Sequence, residues 1–228
     1  MSETTMDNLM TRLPMRGLLV ALSLPLLALG LQTQKLAAEP LPSLMTAEEF
    51  LRDPETYGQH DELGCMALAV YSEAERGPNA SASEKLAIAW VIKNRLEIGF
   101  RPGNLPAATS LCEVVWAGTD VGDPQFSGTA SEKFFEVKDL QDFYLAFAAA
   151  KMVYEGAPIA LELRKQIGAV DLFHADYVSP DWAEADGVTP VKTFGAHHFY
   201  IEEARHEEGR EEMEEQLAWQ FALLEEPS

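Results

Sequence analysis

Residues 86–92 (LAIAWVI) form a run with no polar position on any side of a helix. Just before it, Ser81-Ala82-Ser83-Glu84 has the spacing of a capping box, so a helix is expected to start there and reach about Leu96. A helix that is apolar all round has no face for water and belongs in the centre of a domain. The remaining chain must therefore supply a shell around it. Further helices are expected over 61–75, opened by Asp61 and stopped at Arg76-Gly77-Pro78, over 111–117, and over an alanine-rich 140–154 ended by Gly156 and Pro158. The pattern then turns β-like at 169–174 and 191–200, where a small antiparallel pair is expected. The fold class is thus α+β, mainly helical, and 228 residues suffice for one domain with a real core.

The ends of the chain read differently. Arg12 and Arg16 precede fifteen uncharged, mostly apolar residues at 17–31, followed by a polar stretch and Leu36-Ala37-Ala38. That order is the one found in secretory signals, and the run is shorter than the roughly 20 residues of a membrane span. Residues 1–38 are therefore expected to be a signal peptide or, alternatively, an N-terminal membrane anchor. Either places the rest in the periplasm or outside the cell. Residues 39–60, rich in Pro and polar groups, read as a linker with a short helix near 47–52. A domain over 61–200 follows. In 201–228, Met213, Leu217, Phe221 and Leu224 form a stripe at helical spacing among ten Glu, as in an acidic amphipathic helix.

Charge narrows the partners. Seventeen Lys and Arg against 37 Asp and Glu leave a formal net charge of −20. Nucleic-acid binding needs a basic footprint, and attachment to anionic lipid needs a basic patch, so neither is expected. With two cysteines the chain is neither a disulfide-rich scaffold nor a multi-Cys zinc module. In an oxidising compartment Cys65 and Cys112 have two open readings: one disulfide, or two buried thiols acting as small apolar residues.

One carboxylate stands out. In the 61–75 helix, Met66, Ala69 and Val70 share a face, and Glu73 falls angularly between Met66 and Ala69. Glu75 lies about 200° away and is a solvated surface charge. An ionised carboxylate is not buried alone, so Glu73 is paired, protonated or placed in a cleft. In a partly apolar cleft a carboxyl suits general-acid work; the alternative is a structural bond to backbone or Arg95. His174, His197 and His198 lack metal-ligand spacing and read as packing or hydrogen-bonding groups. Phe126, Phe173, Tyr177, Trp182, Phe199 and Tyr200 form either a sugar-stacking wall or part of the core. No nucleotide loop and no serine or thiol nucleophile signature occurs, and no metal or other cofactor is expected.

Taken in order, several segments resemble the SleB/CwlJ-type cell-wall hydrolases, which include spore cortex-lytic enzymes. They are 65–74 (CMALAVYSEA), 86–95 (LAIAWVIKNR), 111–116 (LCEVVW) with 125–127 (QFS), 173–182 (FHADYVSPDW) and 195–200 (GAHHFY). The resemblance implies a lysozyme-like domain acting on peptidoglycan, most simply as a monomer. It maps the catalytic acid onto Glu73, working as in a lytic transglycosylase with one carboxyl as general acid and base. Gln125, Phe126, Ser127, His174, Tyr177, Trp182 and Tyr200 become candidates for binding the sugar. An ordinary glycosidase needs a second carboxylate, and no residue is nominated for that role, with Asp171 and Asp176 left open. A non-catalytic wall-binding relative and an amidase are the alternatives. Three departures accompany the resemblance: an extra Glu75 with Pro78-Asn79 after it, Leu172 where many members have His, and Pro124 where some have a second Cys, which leaves Cys112 without that partner.

Overall fold

Each main helix starts where a short polar side chain meets the first free backbone N–H groups. Asp61 accepts from Gly64 N at 2.8 Å, Ser81 from Glu84 N at 3.4 Å, Ser110 from Glu113 N at 3.2 Å and Asp139 from Asp142 N at 3.0 Å. These caps open α3 (Glu62–Glu73), α4 (Ala82–Glu97), α5 (Leu111–Trp116) and α6 (Leu140–Glu155). Gly156, with φ +68°, closes α6, and Pro158 opens α7 (Pro158–Ile167). The computed structural model describes residues 44–74, 81–100 and 106–207. The N-terminal segment 1–38, the turn around Glu75–Asn79 and the stripe from Met213 to Leu224 lie outside the described residues.

α4 is the central helix its pattern requires. Every residue of 86–92 is buried, and the Trp90 indole N–H donates to Ala160 O of α7 at 2.9 Å. α3 crosses beside it, buried from Leu63 to Tyr71, and packs closely on α6. At the far end of α4, polar groups take over. Asn94 Nδ2 donates to Val170 O at 2.8 Å and Arg95 Nε to Asp171 O at 2.7 Å, tying the helix to the chain entering the sheet. Lys93 donates to Val153 O at 3.0 Å, a cation on the last carbonyls of α6.

Two expectations need correction. The stretch 39–60 holds more than a linker with one helix: from residue 44 on it contains α1 (Ala47–Phe50) and α2 (Pro54–His60). Phe50 is fully buried, stacked on Phe143 of α6 at 5.0 Å, so these helices belong to the domain core. The sheet also has three strands, not two. β1 (Leu172–Ala175), β2 (Val188–Phe194) and β3 (His197–Glu202) are antiparallel in the order β1-β3-β2. What reads as one strand over 191–200 is a hairpin bent at Gly195-Ala196, with Gly195 at φ +54°. Apolar positions continue through the turn, so alternation does not reveal it. Pro190 lies beside a register shift on edge strand β2, where a missing N–H is tolerated.

The cysteines resolve to one disulfide. Cys65 on α3 and Cys112 on α5 are bonded, with Cα atoms 5.2 Å apart. The architecture is therefore α+β and mainly helical, with a three-stranded antiparallel sheet. No helix among the described residues is long and apolar enough to cross a membrane.

Candidate functional site

Glu73 is the last residue of α3, which brings its side chain from the core to the rim of a cleft. The opposing strap is the segment entering a short 3-10 turn at Ser127–Ala130. Gly128 N donates to Glu73 Oε1 at 3.1 Å, and Ser127 Oγ reaches Oε1 at 3.1 Å and Oε2 at 3.3 Å. Both short contacts fall on Oε1. Oε2 keeps only the longer one and is the oxygen freer to exchange a proton with a ligand. Glu73 and Arg95 make no ion pair among the described residues, so the strap, not the arginine, orients the carboxyl.

The cleft has a volume of about 650 Å³, enough for sugar-sized groups. Beside Glu73 it is lined by Gln125, Ser127, His174 and Tyr177, four of the residues singled out in the sequence, and Tyr177 is strongly exposed at its rim. The other three stand elsewhere. Phe126 is buried, 6.3 Å from Phe173 and with the Arg95 guanidinium 5.2 Å from its ring centre. Tyr200 sits behind His174 and Trp182 packs edge-on against both, so these two support the wall instead of lining it. Of the proposed aromatic wall, Phe199 is core, while Phe173 reaches the cleft.

The histidines are fixed by hydrogen bonds. His174 Nδ1 lies 2.8 Å from Ala175 O; a carbonyl only accepts, so Nδ1 carries the hydrogen. Its Nε2 then accepts from the Tyr200 hydroxyl at 2.9 Å. His198 pairs with Thr193 Oγ1 at 2.8 Å. His197 turns to the other face of β3 and meets Glu84 at 2.6 Å. No group of three or more His, Cys, Asp or Glu among the described residues is arranged to hold a metal ion.

Two charged residues take roles that the sequence does not signal. Arg95 is buried against the rings of Phe100 and Phe126, lines the cleft, and has no partner for Nη1 among the described residues. Burial first, then the charge of Arg205, pulls its pKa down to about 10, while Asp171 and Glu73 pull it up. It is a cation at neutral pH. Glu84 has the capping-box position of α4, yet its carboxylate turns inward to His197 and Ala196 N. Neither role has a local signature: Glu84 meets the β2–β3 hairpin, and Arg95 meets Phe126 and Asp171 O, partners distant in sequence.

The two other carboxylates separate cleanly. Asp176 lines the cleft. Asp171 is fully buried behind it, accepting from Glu202 N at 3.0 Å; burial raises its pKa, against the pull of that hydrogen bond and of His206, Arg205 and Arg95.

A family model described as Cell Wall Hydrolase matches residues 79–200, more than half of the chain. No curated protein and no solved structure matches it.

Proposed function

The chain belongs to the cell wall hydrolase family, and from that premise we propose that it cleaves peptidoglycan glycan strands with Glu73 as general acid and base, as a lytic transglycosylase on a lysozyme-like fold. The observation that carries this reading is Glu73 itself: a half-buried carboxyl at a helix end, aimed into the cleft and held by Ser127 and Gly128. In its protonated form it gives its proton to the glycosidic oxygen between N-acetylmuramic acid and N-acetylglucosamine. The C1–O bond breaks and the N-acetylglucosamine 4-hydroxyl leaves. The muramoyl 6-hydroxyl then closes on C1, and its proton returns to the Glu73 carboxylate. One intermolecular bond is exchanged for an intramolecular one, and no water is consumed. The Arg95 cation supports the anionic half of this cycle. Gln125, Ser127, His174 and Tyr177 supply hydrogen-bonding and stacking groups along the cleft.

The setting is proposed on two supports. Residues 1–38 read as an export signal or anchor, which would direct the domain to the periplasm or beyond, as a monomer. The Cys65–Cys112 disulfide suits such an oxidising compartment.

Asp176 supports a second reading. As a second carboxylate lining the cleft, it could activate water, which would make the protein a muramidase. Mass spectrometry of fragments released from purified sacculi tests the proposal. Anhydro-muramyl ends are the expected product. Reducing ends would favour the muramidase, free stem peptides an amidase, and sacculus binding without soluble product a non-catalytic relative.

The strap gives a further expected outcome. A Cβ on Gly128 would come 2.6 Å from Ser72 Oγ and 2.7 Å from Ser72 Cβ. Gly128→Ala must push the strap off α3 and lose the N–H bond to Glu73. Release of soluble fragments is expected to fall about tenfold, with unfolding free energy lowered by about 1–3 kcal/mol, as read from urea curves.

A further inference from the structure

We infer that His197 contacts the substrate: its Nε2 accepts a hydrogen bond from the N–H of a 2-acetamido group in the cleft, and the buried Glu84 holds the ring in the tautomer that permits it. The inference rests on the glycan-cleaving reading above and adds a residue to it.

Glu84 is fully buried on α4, yet it is a carboxylate, and burying one is costly unless it is held by hydrogen bonds. Its Oε1 accepts from Ala196 N at 3.2 Å and lies 2.6 Å from His197 Nδ1. A carboxylate only accepts, so Nδ1 carries the hydrogen, and in the uncharged tautomer this leaves the lone pair on Nε2. His197 lines the same cleft as Glu73. Among the described residues Nε2 has no protein partner, and it is not among their fully buried unpaired atoms, so it keeps access to the cleft. The hairpin is built around this pair. Gly195 is at φ +54°, and a Cβ there would come 2.6 Å from Glu84 Oε2, so only glycine lets the turn close over the carboxylate.

The surroundings choose among possible donors. Phe173 meets the His197 ring edge-on at 5.4 Å, and Ala175, Ala196 and Val178 line the cleft nearby. An acetamido group offers an N–H for Nε2 together with a methyl for these apolar walls. A sugar hydroxyl needs no such flank. Both sugars of peptidoglycan carry an acetamide at C2, so the partner recurs along the strand.

The test compares rates on sacculi and on the same sacculi after chemical de-N-acetylation. His197→Asn places an amide where Nδ1 was, preserving a donor to Glu84, but removes the Nε2 acceptor. The wild-type preference for acetylated glycan is expected to fall about tenfold or more in this variant, with the thermal midpoint nearly unchanged. Glu84→Gln, which keeps shape and removes the charge fixing the ring, is expected to lower the same preference, and it decides the matter if His197→Asn does not fold. An unchanged preference in either folded variant overturns the inference. Glu73→Gln, run alongside, separates the two claims: if it is as active as wild type, the glycan-cleaving reading itself fails, whatever His197 does.

Discussion

Replacing Glu73 by Gln is expected to lower fragment release from purified sacculi by about 10³-fold while leaving the fold in place. The magnitude follows from the task assigned to the side chain, since positioned proton transfer contributes roughly 10²–10⁴. The preserved fold follows from the contacts. A glutamine oxygen at the Oε1 position still accepts from Gly128 N and Ser127 Oγ, which now lie 3.1 Å away, so the strap keeps its anchor. What disappears is the ability to give up and retake a proton. A thermal midpoint within a few degrees of wild type, beside the lost activity, separates this from collapse of the cleft. Wild-type release by the variant would leave no carboxyl chemistry for Glu73 and return the domain to a wall-binding role. The experiment is sharper here than in many glycan-cleaving clefts, because Asp171 is sealed inside the fold and, among the described residues, Asp176 is the other carboxylate lining the cleft.

How far this site was legible depends on the range of the interactions that build it. Local physics carries the helices: Asp61 and Ser81 announce α3 and α4, and helical periodicity places Glu73 on the apolar side of α3. The apolar ladder Leu86–Ile92 likewise demanded a central helix, and its burial met that demand. Pairings across long separations were not legible. Glu84 and His197 are 113 residues apart, so the capping-box spacing of Ser81 and Glu84 pointed the carboxylate at the wrong partner. The turn at Gly195-Ala196 adds no charged or Pro break between Phe194 and His197, so 191–200 reads as one β-like run. Phe50 is hidden for another reason: a Pro-rich, polar neighbourhood reads as linker, although its one buried aromatic ring docks the segment on α6. Tyr200 and Trp182 read from the sequence as sugar contacts, but His174 takes the front position and uses them as its support.

Removing the disulfide with Cys65→Ala and Cys112→Ala together is expected to lower the unfolding free energy by about 4 kcal/mol, the loop-entropy value for a closure of 47 residues. For a domain of this size that corresponds to a thermal midpoint roughly 10 °C lower. A reductant should shift wild type by the same amount and the double variant not at all, which isolates the cross-link from the packing lost at the buried Cys65. The effect should reach the cleft. The bond joins α3, which ends in Glu73, to α5, which leads into the strap carrying Gln125 and Ser127. Without it, the two walls are held together by hydrogen bonds to the Glu73 carboxyl and by packing, so activity should decline before global unfolding as temperature rises. The same bond also bears on location. If native protein carried both thiols in alkylatable form, the cross-link would not exist in its compartment, and the argument for an oxidising environment would then rest on residues 1–38 alone.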